Sequence, residues 1–483
     1  MRVMISPVHR IRIFYRVFRR KVSLFVSLIR LFSSAATYLW CIFLVLVRLT
    51  FKTNIALISE LRVSLKDISN PKPWPEKSDL TFAFFSRKAK RAEADSTYRQ
   101  NNWKLACQHY VEAEEFSSSI IEKFGFDKLP IRFIGSSFTK SIGHMAIGIG
   151  SRARLALLSE SKEFNYIILS GFSPNSCYLS KWGKYFPIIQ SSALEGLSVE
   201  KVLWPLVETV ETLKVGDQRL DLYSAHNELS IKWMENKNKP LLSPSEEEIE
   251  VGRNYLISNH LDPDSWFVTL HVRDNFLDKP GYGRNADILS YLPAIKEIIS
   301  KGGIVIRIGD SNSKKLPQMK GYLDATGNIS KNGKLDIFLL SKCRFMVGTL
   351  SGPLIVPQTF GVPVLSTNAP DFYKNILLPN SLVIPKLIRD TAGNLLTFND
   401  IFNATELWTD SYLPKSRQSS LNWVDNTQED ILMGVCEMLE GRNFKPTQIQ
   451  KNLVSRLEEK KTTTLTPVSQ NFLYRYESLF ASL

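Results

Sequence analysis

The sequence predicts an α/β protein in which two Rossmann-like domains face each other across a cleft. Short buried strands alternate with helical segments from Ile131 onward, which is the pattern of a parallel sheet covered by helices. The alternation stops in residues 240–260, where Pro240, Pro244 and an acidic run follow one another, and it begins again at Trp266. A chain of 483 residues is also too long for a single hydrophobic core. Two domains with additional segments are therefore expected.

The first domain is predicted from one βαβ unit. Residues 131–135 and 166–169 are short apolar runs of the kind that form buried strands. Between them the pattern predicts a polar loop that contains Gly143 and His144, followed by a helix over residues 146–160. We expect His144 to face the cleft, because the loop follows the carboxyl end of a strand.

The second domain is predicted from a longer series of alternating strands and helices. Strands are expected at residues 266–273, 303–308, 345–347 and 362–366, and helices at residues 290–300, 335–340 and 354–360. A further helix near residues 425–440 is expected to pack across the two domains. In folds of this class the ligand binds beyond the carboxyl ends of the strands.

Three further segments flank the two domains. The predicted boundaries are 1–55 for a basic hydrophobic segment, 56–128 for a linker and a helical region, 129–250 for an acceptor domain, 251–440 for a nucleotide-binding domain and 441–483 for a helical tail. Within the second of these, Asn70–Pro75 reads as a stiff linker. The spacing of Tyr98, Trp103, Ala106 and Tyr110 is that of a single tetratricopeptide-like helix pair, which predicts a helical spacer.

The charge distribution indicates a membrane surface as a partner and argues against nucleic acid. The net charge is +14, and ten of these charges come from Met1 to Ile55, which contains no acidic residue. Leu31 to Val47 is a run of 17 uncharged residues, at the short end of what spans a bilayer. Upstream of it, apolar residues and arginines alternate at helical spacing, as in a helix lying on anionic lipid.

Several interpretations of this first segment stay open. The interpretation as a cleaved signal peptide is weakened, because Arg48, Leu49 and Phe51 follow the apolar run, where small residues are expected. Attachment to the cytoplasmic face of a bacterial inner membrane is favoured, and a type II protein of a secretory lumen is the alternative. The five cysteines are widely spaced and form no CxxC pair, so we expect reduced thiols and no zinc site.

Candidate site residues lie at the predicted carboxyl ends of strands in the second domain. His271-Val272-Arg273-Asp274 ends one strand, Arg307-Ile308-Gly309-Asp310 ends another, and Gly348–Gly352 follows a third and enters a helix. A Gly- and Ser-rich turn before a helix offers backbone N–H groups to a phosphate. An arginine at a strand end can hold a diphosphate with two hydrogen bonds. The pattern therefore predicts a diphosphate site at one edge of the sheet.

Other motifs, present or absent, limit the possible reaction classes and the need for a metal. Asp336, at the start of a predicted helix, is either a helix cap or a contact to the ligand. The chain contains no GxxxxGK[ST] motif, which excludes a P-loop ATPase. No Asp-x-Asp follows a strand of the first domain, since Asp262-Pro263-Asp264 precedes a strand. We therefore expect no obligatory metal and no cofactor.

The same residues carry a resemblance. The chain is similar to a family of bacterial glycosyltransferases found in surface-polysaccharide clusters, and the similarity covers roughly residues 130–440. It is carried by Ile142-Gly143-His144, His271–Asp274, Gly281–Asp287, Arg307–Asp310, Leu335-Asp336-Ile337, Cys343–Gly352, Phe360–Val364 and the region from Trp423 through Met438. That family resembles, at a distance, the fucosyltransferase group with the GT-B fold.

The resemblance implies an inverting, metal-independent transfer from a nucleotide-diphosphate sugar to a surface-glycan or lipid-linked acceptor, of hexosyl or fucosyl type. It implies Arg273 and Ser351 as donor contacts, with His271 beside them. Asp274 stands where the fucosyltransferase group usually has a second arginine, which puts GDP-fucose in doubt. The candidates for the catalytic base are His144, Asp274 and Asp310. The full predicted donor site comprises His271, Arg273, Arg307, Gly309, Asp336, Gly348, Thr349, Ser351 and Gly352.

Two alternatives remain at this point. A GT-B nucleotide-sugar epimerase would need an acid and a base in the cleft and no membrane. A non-catalytic scaffold for polysaccharide assembly would use a degenerate transferase domain together with the helix pair.

Overall fold

The computed structural model describes eleven stretches of the chain: residues 77–99, 103–123, 131–158, 165–190, 206–274, 283–327, 333–370, 380–403, 422–441, 446–459 and 466–480. The predicted membrane segment and the linker Asn70–Pro75 lie outside them. Within these stretches, no helix is both long enough and apolar enough to cross a membrane.

The predicted helix pair is present. Helix α1 (Lys77–Arg99) packs along helix α2 (Trp103–Lys123), with Ala94 and Ala106 fully buried between them. Arg91 of α1 connects the pair to the first domain, because its guanidinium donates to Glu211 at 2.7 Å.

The first domain is built on a four-stranded parallel sheet. Its strands are β1 (Ile131–Ile134), β2 (Asn165–Ser170), β3 (Ile188–Gln190) and β4 (Val207–Glu208), in the order β3-β2-β1-β4. The carboxyl ends of all four strands lie at one edge of the sheet, since the pairings are parallel. The chain adds an antiparallel hairpin of β5 (Thr212–Val215) and β6 (Gln218–Asp221).

The connection after β1 is helical almost throughout. It contains α3 (Ser136–Thr139), α4 (Ile142–His144), a π-helical turn (Met145–Ile149) and α5 (Gly150–Leu158). The predicted loop around Gly143 and His144 is therefore wrong, because the helix already begins at Ile142. The buried ring of Phe138 lies where a side chain on Gly148 would be, 2.5 Å from that position. Single π turns inside α-helices are frequent at functional sites.

The rest of the first domain consists of two helices. These are α6 (Ser176–Lys181), which begins at the N-cap Asn175, and α7 (Leu222–Glu235), which begins at the N-cap Asp221. The acidic run that follows Pro244 starts helix α8 (Glu246–Ser258), and Ser245 and Glu248 form a capping box there. Helix α8 packs on α10 (Gly333–Ser341) of the second domain, with Gly252 against the Phe338 ring. The predicted boundary at residue 250 thus lies inside a helix of the second domain.

The second domain contains a six-stranded parallel sheet. Its strands are β7 (Phe267–His271), β8 (Ile304–Arg307), β9 (Tyr322–Asp324), β10 (Met346–Thr349), β11 (Val364–Ala369) and β12 (Leu382–Pro385). Their order is β9-β8-β7-β10-β11-β12, which is the 3-2-1-4-5-6 order of a Rossmann fold. Both predicted sheets are thus confirmed as parallel α/β sheets.

Helices cover this second sheet on both faces. In the described part of the chain they are α9 (Leu292–Ser300), preceded by a 3₁₀ turn (Ile288–Tyr291), α10, α11 (Gly352–Thr359), α12 (Phe398–Asn403) and α13 (Gln428–Glu440). Helix α13 packs on α9 and β12. The prediction that this helix packs across the two domains is therefore wrong: its buried residues, Ile431 and Val435 among them, belong to the core of the second domain.

The tail returns to the edge of the second sheet. It contains α14 (Gln448–Glu459), α15 (Gln470–Arg475) and α16 (Glu477–Phe480), after a short antiparallel pair of β13 (Leu387–Arg389) and β14 (Asn422–Val424). Val468 forms a bridge to Val383 of β12, and Ser469 donates to the buried carboxylate of Glu437 at 2.7 Å. The described helices of the tail thus pack on the second domain, and the predicted boundary of the tail at residue 441 stays a prediction.

Candidate functional site

The central feature of the site is the meeting of two strand ends. β7 and β10 are neighbours in the sheet and belong to its two halves, where the strand order reverses. Ligands of open α/β sheets bind in the crevice at this point. Gly348 of β10 pairs with His271 of β7, and a side chain on Gly348 would lie 2.1 Å from the His271 carbonyl oxygen. Only glycine fits there, so the two predicted motifs are in direct contact.

Ser351 joins the two motifs through its side chain. It occupies the N-cap of α11, but no side-chain hydrogen bond caps that helix. Its hydroxyl lies 3.2 Å from Nδ1 of His271 instead. The amino end of α11 therefore has no side-chain cap, and the partial positive charge of the helix lies at the crevice. Within this first turn Pro353 has no N–H, and the Leu354 N–H donates to the Ser351 carbonyl.

Arg273 is held beside the same turn. Its backbone N–H donates to the hydroxyl of Thr349 at 3.0 Å, and its side chain is partly buried. The guanidinium is close enough to His271 to lower the pKa of the imidazole. The positive charge of Arg273 thus lies close to a helix amino end, which is an arrangement suited to a diphosphate.

His271 is neutral at physiological pH. Burial and the charge of Arg273 together lower the pKa of its imidazole to about 4, although Asp310 opposes both effects. A neutral ring adds no charge to the crevice and exchanges one hydrogen bond with Ser351. This geometry fits the predicted supporting place of His271 beside Arg273.

Asp274 and Arg307 form a buried ion pair. The Arg307 guanidinium, fully buried, donates to Oδ2 of Asp274 at 2.6 Å, and the Lys314 backbone N–H donates to the same oxygen at 2.9 Å. Arg307 also donates to the Lys314 carbonyl. This placement favours a structural role, in which the pair ties the ends of β7 and β8 to the following loop. It does not favour the predicted roles of Asp274 as a base and Arg307 as a donor contact.

Gly309 and Asp310 form the turn after β8. Gly309 has φ +151°, which is strained for other residues, and its carbonyl accepts from Gly327. The Asp310 side chain is exposed, and its charge acts on His271. Asp310 therefore stays a candidate at the rim of the crevice.

Asp336 lies away from the strand ends, at a contact between the two domains. Its Oδ2 accepts from Nδ2 of Asn175 at 2.8 Å, and its buried Oδ1 has no partner among the described residues. Burial raises the pKa of this carboxyl to about 8. The predicted donor contact is thus placed against α6 of the first domain, where it favours an interdomain role.

The first domain touches the site through two glycines. A side chain on Gly143 would lie 2.9 Å from the Cα of Gly352, so the starts of α4 and α11 meet backbone to backbone. His144, the next residue, is exposed at this meeting point. Its Nδ1 lies 3.1 Å from the Ser137 carbonyl oxygen, which can only accept. In the neutral ring Nδ1 therefore carries the proton, and Nε2 presents a lone pair.

A buried polar network behind the crevice was not predicted. Asn368, the second-last residue of β11, has φ +50°; it exchanges backbone-to-side-chain hydrogen bonds with Asn426 and donates to the Tyr291 hydroxyl at 3.3 Å. Tyr291 in turn lies 2.6 Å from Thr367, whose hydroxyl donates to the Gly348 carbonyl at 3.1 Å. The network fixes β10 just before the turn to α11. Its only signal in the sequence would have been an asparagine at the end of a strand.

Metal-binding residues are not grouped in the described part of the chain, where no three His, Cys, Asp or Glu side chains converge. The expected independence of metal and of cofactors stays a prediction. Cys177, Cys343 and Cys436 are free thiols in this structure, and burial raises the pKa of all three.

Comparison with known proteins gives only distant likenesses. No family model and no curated protein sequence matches the chain. Among solved structures, a glycosyl transferase family 9 protein from Veillonella parvula matches with a TM-score of 0.33 and 11% identity, over 53% of this chain and 85% of that one. The ADP-heptose lipopolysaccharide heptosyltransferase II of E. coli matches with a TM-score of 0.34 and 14% identity, over 53% and 90%.

A third match is the dodecameric iron-containing heptosyltransferase TibC in complex with ADP-D-β-D-heptose. Its TM-score is 0.35 at 13% identity, over 69% of this chain and 77% of that one. These structural neighbours are glycosyltransferases, and the predicted likeness to the fucosyltransferase group stays a prediction. At such low similarity, heptosyl transfer is a property of those proteins, and the function of this chain has to be argued from its own residues.

Proposed function

We propose that this protein is a glycosyltransferase that takes a sugar from a nucleotide-diphosphate donor and passes it to a glycan or lipid-linked acceptor. The observation that carries the proposal is the hydrogen-bonded junction of His271, Arg273, Thr349 and Ser351 at the reversal point of the second sheet. A positive charge, a helix amino end and a hydroxyl converge there, and a first-domain helix closes the other side.

The donor diphosphate lies between Arg273 and the start of α11. The guanidinium donates two hydrogen bonds to phosphate oxygens, and the partial positive charge at the amino end of α11 stabilises the remaining negative charge. When the bond from the anomeric carbon to the diphosphate breaks, negative charge grows on the leaving oxygen. Groups that are already in place stabilise this charge without reorganisation, which lowers the barrier.

His144 is the base that best suits the acceptor. Because Nδ1 donates to Ser137, the lone pair on Nε2 is available to take the proton of the acceptor hydroxyl. The acceptor oxygen forms a bond to the anomeric carbon as the diphosphate leaves from the opposite side, so the configuration inverts. Of the other two candidates, Asp274 is bound to Arg307, and Asp310 lies on the rim beyond β8.

Three finer points belong to the same proposal. Transfer proceeds without an obligatory metal or cofactor, because Arg273 and α11 supply the positive charge that a metal would give. The donor sugar is of hexosyl or fucosyl type. The basic hydrophobic segment of residues 1–55 holds the enzyme at the cytoplasmic face of the bacterial inner membrane, near a lipid-linked acceptor.

The direct test uses the full chain with UDP, GDP and ADP and their sugar conjugates. We expect one diphosphate to raise the melting temperature and its sugar conjugate to be hydrolysed slowly or transferred. Arg273→Ala should lower that rate about 10²- to 10³-fold. The matched control is Arg253→Ala, because Arg253 is an exposed arginine on α8.

Four results would contradict the proposal. If no nucleotide diphosphate binds, or if Arg273→Ala behaves like wild type, the crevice is not a donor site. If Arg273→Ala still supports polysaccharide assembly in cells while removal of the α1–α2 helix pair abolishes it, a scaffold role is correct instead. Conversion of the nucleotide sugar to its epimer, with no acceptor present, would identify an epimerase.

A further inference from the structure

The loop between β2 and α6 presents an aromatic side chain at the carboxyl edge of the first sheet. This loop, residues 171–175, carries Phe172, whose side chain is 55% exposed. Single exposed apolar residues are common on protein surfaces, so exposure alone means little. What distinguishes Phe172 is how firmly its backbone is held and where the loop lies.

The backbone of Phe172 is fixed from both ends of the loop. Its carbonyl accepts from Ser170 at 3.3 Å and from Thr139 at 3.5 Å. At the other end, Ser173 donates to the Asn175 carbonyl at 3.1 Å and contacts the sulfur of Met145 at 3.9 Å. These hydrogen bonds hold the backbone of the loop, and the phenyl ring of Phe172 remains exposed.

The same anchors place the loop in the cleft. Helix α3 holds both Phe172, through Thr139, and His144, through the Ser137 carbonyl. Asn175 donates to Asp336 of the second domain at 2.8 Å, so the loop ends at the interdomain contact. Phe172 and His144 are therefore both anchored on α3, at the carboxyl edge of the first sheet.

We propose that Phe172 is the platform of an acceptor subsite and that it takes the apolar face of a pyranose ring. One face of a pyranose is rich in C–H groups, which pack well on an aromatic ring. Stacking there fixes the plane of the acceptor sugar and directs one of its hydroxyls toward Nε2 of His144. This inference rests on the proposed transferase function and adds to it the chemical class of the acceptor and the residue that orients it.

The test measures binding of methyl β-D-galactopyranoside and methyl β-D-glucopyranoside by saturation-transfer NMR, with and without the nucleotide diphosphate that stabilises the protein. In wild type we expect transfer onto the ring C–H protons of at least one glycoside. Phe172→Ala should weaken its binding at least about tenfold, while Phe172→Tyr retains it. The control is Leu157→Ala, since Leu157 is 52% exposed at the far end of α5.

The outcomes separate this inference from the function on which it rests. If a nucleotide diphosphate binds but neither glycoside does, or if Phe172→Ala binds as well as wild type, Phe172 is not a platform. If no nucleotide diphosphate binds, the proposed function falls, and the glycoside titration without nucleotide still decides on Phe172. The melting temperature of Phe172→Ala should equal that of wild type, because the ring buries little area.

Discussion

The two domains use the same architecture and present opposite kinds of surface at the cleft. The second domain offers buried or partly buried groups: the guanidinium of Arg273, whose backbone N–H donates to Thr349, and the hydroxyl of Ser351, which contacts His271. The first domain offers exposed side chains, His144 and Phe172, on a rigidly held backbone. A charged, invariant diphosphate suits the former, and an acceptor that must enter and leave suits the latter. Under the proposed function, the second domain would hold the donor and the first domain the acceptor.

The comparison extends to the buried arginines. Arg307 in the second domain pairs with Asp274, and Arg152 in the first domain pairs with Glu208 at 2.7 Å. Both guanidiniums are fully buried and also donate to backbone carbonyls. Each domain thus uses one arginine to fix its strand ends. Arg273 differs, because it is only partly buried and lies at the crevice.

The largest effect is expected from removing the base on the first-domain side. His144→Ala should lower kcat about 10²- to 10⁴-fold, because the acceptor hydroxyl loses its proton acceptor. Affinity for the nucleotide diphosphate should not change, since the donor groups lie on the other domain. His144→Gln, which can still donate to Ser137, should be as inactive as His144→Ala. If His144→Ala weakened donor binding as much as it lowered kcat, the assignment of donor and acceptor to separate domains would be wrong.

Breaking a buried pair should affect stability rather than chemistry. Arg307→Met leaves the Asp274 carboxylate buried and uncompensated, which typically costs about 3–5 kcal/mol in the free energy of unfolding. Urea denaturation measures this loss. The double variant Arg307→Met/Asp274→Leu should recover part of it, because no charge is then buried alone. If Arg307→Met is as stable as wild type but loses donor binding, Arg307 is a donor contact, as the sequence predicted.

The contact between the domains leaves no room for a methyl group on Gly143. Gly143→Ala places a carbon 2.9 Å from the Cα of Gly352, so one of the two helix starts has to move. Overpacking of this kind costs about 1–3 kcal/mol, and it should reduce kcat by shifting His144 relative to Ser351. Gly150→Ala lies on the same helical connection with 3.4 Å to its nearest neighbour and should be neutral. Equal behaviour of the two variants would show that the contact does not set the geometry.

The smallest effect concerns pH and Asp336. Burial raises the pKa of this carboxyl to about 8, whereas its ordinary value is 3.8. The folded protein therefore holds a proton that the unfolded chain releases, and its stability falls as the pH rises between these values. Asp336→Asn removes this dependence and should raise the melting temperature at pH 8.5 by roughly 2 °C or more. A variant that melts earlier than wild type at pH 8.5 would contradict the assignment.

Much of the second domain was predictable because its strands are fully buried. Four of its strands and four of its helices were predicted near their observed positions, since apolar runs in a parallel sheet are continuous in sequence. Shorter strands were not predicted, among them β9 of the second domain with three residues and β4 of the first domain with two. Such strands depend on pairing with a neighbour rather than on their own pattern.

The site was predictable as a location and less so in its roles. Strand-end motifs placed Arg273 and Ser351 at one edge, and the structure brings them together. The pairing of Asp274 with Arg307 depends on side-chain geometry across two strands, which no spacing reveals. The same holds for Asp336, whose partner Asn175 is 161 positions away in sequence. Phe172 was not predicted, since an aromatic residue after a strand more often belongs to the core.

The central claim is that the junction of β7 and β10 holds the donor diphosphate. Hydrogen exchange of the full chain, with and without the stabilising nucleotide diphosphate, tests it most directly. We expect slower exchange in peptides covering residues 268–274 and 348–355, no change around residues 152–158, and no protection at all in Arg273→Ala. Protection confined to other parts of the chain, or unchanged by Arg273→Ala, would contradict the claim.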